Sequence, residues 1–449
     1  MTIDPQFQKF LSAEANRHEI SRAEWEALAL AIDGREMTAI ADELNVRPEA
    51  VRQRLSQVYS KFGILGKGPV KRSKLQRLLQ SRFEQYQETG VIPGVESPRS
   101  PDWGDAPDVS VFYGREDELQ TLKQWIVEEN CKLIGVWGFG GIGKTTFVAK
   151  LARQLDFESV IWRSLSLPCH LDTLLDGLLA HLETPKAQVA AEEKTELHQK
   201  INRLMECLTR KRSLLVLDRF EVVLQEGTNR HGRYKPEYEA YGMLLQKLGE
   251  LPHQSCVIVL SREQTKEVKQ LAHLKGSVRD WKLEGLQEQA VVDLLRDRGI
   301  NGTPEDFHRF AGKYGSNPLL LKLTAATIQV TCANNLSNFL KHDTTIVNSE
   351  FVENTFAQYF QHWSALETDL ETIAIKVLAT AEQPMSMQQL YEAIQQQMPD
   401  RIGYSQLLEA IASLSWRSLL EQSISSEQEP LFFLQPVIRK YIVQHANAV

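Results

Sequence analysis

The sequence predicts more than one domain: an all-α segment over the first 90 residues, then a doubly wound parallel α/β sheet. Three observations point there. Residues 91–110 (VIPGVESPRSPDWGDAPDVS) hold four prolines, a density that blocks helix and favours an extended linker. Ahead of them, apolar residues recur at helical steps of three and four. Behind them, short apolar runs that end in glycine or in an acid alternate with helical segments, as parallel strands joined by helices do. A length of 449 residues allows two to four domains at roughly 100–200 residues each.

Composition narrows the function classes. With 42% hydrophobic and 24% charged residues, long disorder is not the main theme. No run of about 18 apolar residues occurs, and MTIDPQFQKFLS lacks a basic start followed by an apolar stretch. The expectation is a protein with no membrane partner and no signal peptide. The five cysteines, Cys131, Cys169, Cys207, Cys256 and Cys332, are odd in number and form no CxxC pair. A disulfide framework and a zinc site are therefore not expected, and a reducing cytoplasm is. The histidines show no ligand spacing, and no repeat of 20–50 residues marks a solenoid or propeller.

In the first segment, Ser21-Arg22-Ala23-Glu24 reads as a capping box opening a helix to about Asp33, with Gly34 stopping it. Thr38 is placed to cap a short helix over 39–44. Pro48 then suits the first turn of a third. Val51, Leu55, Val58 and Phe62 fall at steps of four, three and four and define one buried face. Arg52, Gln53, Arg54, Gln57 and Lys61 are left facing elsewhere. Two short helices joined by a tight turn, the second of them basic, make a helix-turn-helix pattern. Between positions 47 and 82 there are ten basic residues against the single acid Glu49, a balance of +9 in a chain whose total is −7. That asymmetry points to a polyanionic partner for this region alone. The expected partner is duplex DNA, contacted by Arg52, Arg54, Gln57 and Lys61, with Lys71, Arg72, Lys74 and Arg77 touching phosphate. The apolar positions alone would serve a protein-interaction bundle equally well.

Residues 20–64 resemble the LuxR-type helix-turn-helix. The matched positions are Ile40-Ala41, Val46, Val51, Arg52, Arg54, Leu55, Val58, Tyr59, Lys61, Phe62 and Gly63. The stretch is equally similar to the helix-turn-helix found ahead of nucleotide-switch modules in cyanobacterial signalling proteins.

The second segment carries a sharper signal. The apolar run 133–137 reads as a buried strand, and Gly138-Phe139-Gly140-Gly141-Ile142-Gly143-Lys144-Thr145-Thr146 follows it, with the full GxxxxGK[ST] spacing of a P-loop. The chemistry needs those residue types. Gly138, Gly140, Gly141 and Gly143 let backbone N–H groups curl around phosphate oxygens. Lys144 sets a charge on the β- and γ-phosphates, Thr145 offers a hydroxyl to Mg2+, and a helix over 144–155 points its positive end at the same anion. The run 212–218 ends in Asp218, placed to hold Mg2+ through water. A third strand over 256–260 runs into Ser261-Arg262, and Arg262 at that edge is placed to sense a γ-phosphate. Residues 160–164 and 281–283 read as further strands. The polar stretch 184–196 reads as a surface insertion, and Trp137, Trp162, Trp281 and Trp416 as core.

Together these motifs resemble the NB-ARC module of the STAND NTPases, a group that includes plant disease-resistance proteins and animal apoptosis adaptors. Val111-Phe112-Tyr113-Gly114-Arg115-Glu116 is similar to its hhGRE motif, in which the Arg helps seat adenine. GFGGIGKTT matches its P-loop, and VIVLSRE (257–263) its sensor strand. Gly315-Ser316-Asn317-Pro318-Leu319-Leu320-Leu321 matches the GxP motif, whose Pro packs on adenine. Residues 351–445 resemble the winged helix that closes over the nucleotide. The architecture this implies is a helix-turn-helix domain (1–90), a linker (91–110), a P-loop nucleotide-binding domain (111–285), a helical lid (286–348) and a winged helix (349–449).

Two departures stand out. The family's second acid after the strand is here Arg219, with Glu221 two residues on as a substitute or as a solvated helix-start acid. The family's Met-His-Asp is here Leu434-Gln435-Pro436, and Gln435 offers an uncharged amide where the His contacts the β-phosphate of ADP. The resemblance implies an ADP/ATP-dependent switch in bacterial signalling that regulates transcription or partner assembly and uses Mg2+. Hydrolysis is expected to be slow, with Asp218, Glu221 and Arg262 as the reacting-end residues. A separate sensor protein and nucleotide-dependent self-assembly belong to the same reading. An ATPase that drives work and an oligomeric scaffold that binds no DNA are the alternatives.

Overall fold

The computed structural model describes residues 11, 20–32, 35–64, 70–89, 101–183, 196–225, 232–341, 370–397, 402–426 and 428–445. The expected stop at Gly34 and most of the 184–196 insertion lie outside them. The chain divides into two units, Met1–Arg99 and Ser100–Val449.

The first unit contains helices α1 (Arg22–Ile32), α2 (Met37–Glu43), α3 (Pro48–Lys61) and α4 (Val70–Thr89). The capping box forms: Ser21 N donates to Glu24 Oε2 at 2.7 Å, and Glu24 N donates to Ser21 Oγ at 3.3 Å. Thr38 is not a cap. Helix α2 starts two residues earlier than expected, after Glu36, and its cap position makes no side-chain bond. A residue already inside the first turn cannot be its N-cap. The seam of α3 is as expected. Val51 and Leu55 pack with Ala27, Ala31, Ile40 and Ala41, while Val58 and Phe62 pack with Leu75 and Leu79 of α4. Asn45, in the turn between α2 and α3, takes φ 50°, a left-handed conformation that Asn tolerates.

The second unit is built on five parallel strands, β1 (Leu133–Trp137), β2 (Ser159–Ser164), β3 (Ser213–Asp218), β4 (Cys256–Ser261) and β5 (Val278–Lys282), in the order β2-β3-β4-β1-β5. The pleat sends alternate side chains to opposite faces. Leu215, Leu217, Val257 and Val259 enter a core with helices α7 (Leu171–Leu182), α8 (Leu197–Arg210), α9 (Ala240–Glu250) and α10 (Lys266–Leu274). Leu214, Val216, Ile134 and Val136 enter the other, with α5 (Glu116–Val127) and α6 (Lys144–Ala152). Helices on both faces explain why the strands read as unbroken apolar runs. The last strand lies three residues earlier than 281–283 because its register follows β1, with Trp137 opposite Lys282. Trp162 is fully buried and Trp137 is 7% exposed, while Trp281 and Trp416 are half-buried.

Residues 101–110 are not free linker. Asp102 N donates to Val160 O at 2.9 Å, and Asp102 O accepts from Trp162 N at 2.8 Å. Its carboxylate pairs with Arg163 at 2.6 Å, and Val109 is buried in the sheet core. Proline density marks where helix is forbidden, not where packing stops.

Helices α11 (Glu288–Asp297), α12 (Pro304–Tyr314), α13 (Pro318–Cys332) and α14 (Leu336–Lys341) enclose a core of their own around Leu294, Phe310, Ile328 and Phe339. Beyond it, α15 (Leu370–Thr380), β6 (Met385–Ser386), α16 (Met387–Gln397), α17 (Tyr404–Trp416), β7 (Glu421–Ile424), β8 (Pro430–Phe433) and α18 (Pro436–His445) form a C-terminal module with an antiparallel sheet ordered β6-β8-β7. Its core holds Ile375, Leu390, Leu407, Leu414 and Ile438, and also Phe139 of the P-loop. Among the described residues no helix is long and apolar enough to cross a membrane.

Candidate nucleotide-binding site

Strand β1 carries the chain to the carboxyl edge of the sheet and releases it at Gly138. The loop to Gly143 turns on φ values no side chain adopts cheaply. Gly141, at φ 77°, has no room for a Cβ, which would stand 2.7 Å from the Leu319 side chain. At Gly138 the same atom would meet Leu283 O at 2.6 Å. Glycine is required here by close approach as well as by conformation. Helix α6 begins at Lys144, so its free N–H groups face the loop.

Lys144 Nζ donates to Gly138 O at 2.6 Å and to Phe139 O at 3.2 Å. Burial pulls its pKa down to about 8, opposed by the charges of Glu221 and Asp218. Thr145 Oγ1 donates to Asp218 Oδ1 at 3.2 Å, and Arg219 N donates to the same oxygen at 2.9 Å. Burial pushes the Asp218 carboxyl up to about 6. A hydroxyl beside a carboxylate at the sheet edge is a hard-oxygen donor pair that fits Mg2+. Glu221 is occupied: Oε1 lies 3.3 Å from Arg262 Nε, and Oε2 accepts from Arg262 N at 3.1 Å.

The cleft around these groups has a volume of about 380 Å3. Phe112, Tyr113, Leu286, Leu294 and Pro318 supply an apolar wall, and Lys144, Thr145, Thr146, Asp218 and Arg262 the polar end. One apolar wall and one ionic end suit a flat base joined to phosphates. Arg115 lines the cleft but is 5% exposed. Its Nη2 donates to Ile142 O at 2.9 Å and to Glu284 O at 2.8 Å, so it ties the P-loop to the chain beyond β5. Burial lowers its pKa.

The sequence reading thus gathers at one place Arg115, Gly140, Gly141, Gly143, Lys144, Thr145, Thr146, Asp218, Glu221, Arg262 and Pro318. Two of its residues lie elsewhere. Gly138 stands behind the cleft and reaches it only through Lys144. Gln435 lines a second cavity of about 220 Å3, beside Tyr314, Gly315 and Pro436, and its Nε2 donates to Glu421 Oε1 at 2.6 Å. The β-phosphate contact expected of Gln435 would require its amide to exchange this bond to Glu421 for the phosphate.

Sequence reasoning also missed contributors. Asn317 Nδ2 donates to Gly140 O at 2.9 Å while its Oδ1 caps α13 by accepting from Leu319 N and Leu320 N. An Asn directly before a helix-starting Pro was the available signal. Lys322, one turn on, also lines the cleft. Phe139 carried no signal at all: it lies between glycines.

In the first unit, Arg52 and Gln57 are exposed and Arg54 is half-buried. Lys61 is not a free cation. Its Nζ pairs with the buried Glu24 at 2.7 Å. Arg72 is engaged as well, donating to Ala31 O and Arg35 O at the end of α1.

Comparison with known proteins agrees with this geometry. Residues 115–227, which run from the buried Arg115 past Asp218, match the NB-ARC domain. Over that stretch the chain is similar to an NB-ARC P-loop NTPase. Relatives of the NB-ARC stretch include two proteins of Arabidopsis thaliana, each described as a "Probable disease resistance protein". One is 31% identical over 35% of this chain and 18% of its own length, the other 29% identical over 24% and 12%. An "Uncharacterized WD repeat-containing protein" of Nostoc sp. is 34% identical over 77% of this chain and 27% of its own length. The chain therefore spans about a quarter of that relative and less of the plant proteins. Among solved structures, a Walker-type ATPase of Pyrococcus abyssi aligns over 74% of this chain and 96% of its own at a TM-score of 0.49 and 11% identity.

Proposed function

We propose that the chain is an ADP/ATP-dependent molecular switch rather than an enzyme of turnover. The observation that carries the reading is Phe139. It is the second residue of the phosphate loop, 3% exposed, and its ring belongs to the core of the C-terminal module. A loop that must rearrange around phosphate is thereby packed into the element that would move. Two further links run the same way. Asn317 binds Gly140 O from the lid, and Ser418 Oγ donates to Arg262 O at 3.1 Å from the C-terminal module. The module's helices and small antiparallel sheet support the winged-helix reading, and the helices from α11 to α14 that of a lid. ADP with Mg2+ on Thr145 and Asp218 holds the parts together in this reading, and ATP loosens them. The Glu221–Arg262 pair and Arg219 argue against rapid hydrolysis.

The output falls to the first unit, where Arg52 and its basic neighbours fit duplex DNA in the cytoplasm. The signal comes through a separate sensor protein or through nucleotide-dependent self-assembly. The test is the nucleotide: ADP copurifies with the protein or raises its Tm, by roughly 4.1 kcal/mol of added stability at about 1,000 times Kd. Lys144→Ala abolishes that shift. An unchanged ADP-induced shift in the variant sinks the assignment.

A further inference from the structure

Five cations line the cleft, and three are already bonded within the protein. Lys144 is held by P-loop carbonyls, Arg115 by Ile142 O and Glu284 O, and Arg262 by Glu221. The side chains of Arg219 and Lys322 make no hydrogen bond or ion pair among the described residues, although the Arg219 charge acts on Asp218. The two differ in place. Lys322 stands on α13 one turn beyond Pro318, at the wall that suits the base. Arg219 directly follows Asp218 at the Mg2+ end, where the far phosphate of a bound nucleotide arrives. Its main chain is fixed, with φ 59° and its N–H on Asp218 Oδ1, while its side chain is exposed.

We infer that Arg219, and not Arg262, is the group that distinguishes a nucleoside triphosphate from a diphosphate in this chain. The Arg262 side chain must first give up its ion pair to Glu221. Arg219 has no side-chain ion pair to break, only a weaker charge interaction with the neighbouring Asp218. Its guanidinium matches the oxygens of a terminal phosphate with parallel N–H donors. The same charge standing where a carboxylate would activate water favours holding the third phosphate over cleaving it. The argument rests on the proposed nucleotide switch and adds to it which residue reads the third phosphate.

The experiment compares Mg2+-ADP with the non-hydrolysable Mg2+-AMP-PNP on the full chain by calorimetry. Arg219→Ala is expected to weaken AMP-PNP about tenfold, the loss of one charge-assisted hydrogen bond. ADP should change by less than about twofold. Arg219→Lys, which keeps the charge and most of the side-chain length but loses the planar fork of donors, should fall between. Equal loss for both nucleotides, or loss for neither, overturns the inference, as does a selective loss of AMP-PNP affinity in Arg262→Ala when Arg219→Ala shows none. Wild-type protein that binds neither nucleotide removes the switch reading itself, a result separate from any effect of Arg219.

Discussion

The Lys144 ammonium shows how a binding site can be costly before it is filled. Its pKa near 8, lowered by burial, means the folded protein prefers the neutral amine more than the unfolded chain does. The resulting penalty is present at lower pH and disappears as pH rises through 8 toward the free value. Nucleotide phosphates favour the ammonium, so binding above pH 8 must also take up a proton. ADP affinity should therefore fall above about pH 8 and be flatter below it, and a pH series of titrations checks this. Asp218 has the opposite boundary. Held protonated up to about pH 6 by burial, it stabilises the fold in acid and loses that contribution as pH rises through 6. A proton there competes with Mg2+, so the Mg2+-dependent part of nucleotide affinity should decline below pH 6. An affinity gain from Mg2+ that is unchanged at pH 5 would contradict this. Glu221 tests catalysis: single-turnover ATP hydrolysis is expected to be well below about 10 s⁻¹. A fast rate eliminated by Glu221→Gln would restore the turnover reading.

At the scale of elements, what was legible was whatever rests on local rules. The strand residues Leu214, Val216 and Leu260 read as buried because both faces of the sheet are covered, and the P-loop read as itself because its spacing is chemical. The edges of elements were less legible. Thr38 looked like a cap, but tertiary packing of Ile40 and Ala41 set the start of α2. Gln435 reads as a phosphate ligand, and no local pattern announces its bond to Glu421, 14 residues away in sequence. Lys61 read as an outward cation for the same reason: Glu24, 37 residues earlier, claims it. Helix α3 carries its own prediction. Replacing Arg52 and Arg54 by Ala should weaken duplex DNA binding without unfolding the protein. The slope of log K against log salt should become shallower by about 0.9 for each phosphate the variant no longer neutralises. Anisotropy titrations at several salt concentrations measure it, and no binding at low salt would make the first unit an adaptor. In the C-terminal module, Arg417 pairs with Glu371, which is 1% exposed. Arg417→Ala takes the guanidinium away from a carboxylate that stays buried and should cost about 3 kcal/mol in a denaturant titration.

Across the whole molecule, charge and packing are distributed by role. The balance of +9 between positions 47 and 82 sits in the first unit, and the rest of the chain carries the compensating negative charge. The candidate nucleotide site lies in the second, where the P-loop is joined to helix α13 through Asn317 and to the C-terminal module through Phe139. Phe139→Ala should lower stability by about 3–5 kcal/mol, as truncation of a buried aromatic does. It should also uncouple ADP binding from protection of the C-terminal module in hydrogen exchange. Protection that still follows ADP in this variant would mean the coupling runs by another route. The pairing of Asp102 with β2 bears on a different hazard. β2 is the outer strand of a parallel sheet, and an outer strand with bare N–H and C=O groups is a template for another chain. Asp102 occupies two of those groups and its carboxylate holds Arg163 beside them, so residues that read as a spacer act as a guard rail against self-templating. A protein cut before Val111 would present that flank to its neighbours and is expected to aggregate in light scattering, whereas one cut before Pro101 stays monodisperse.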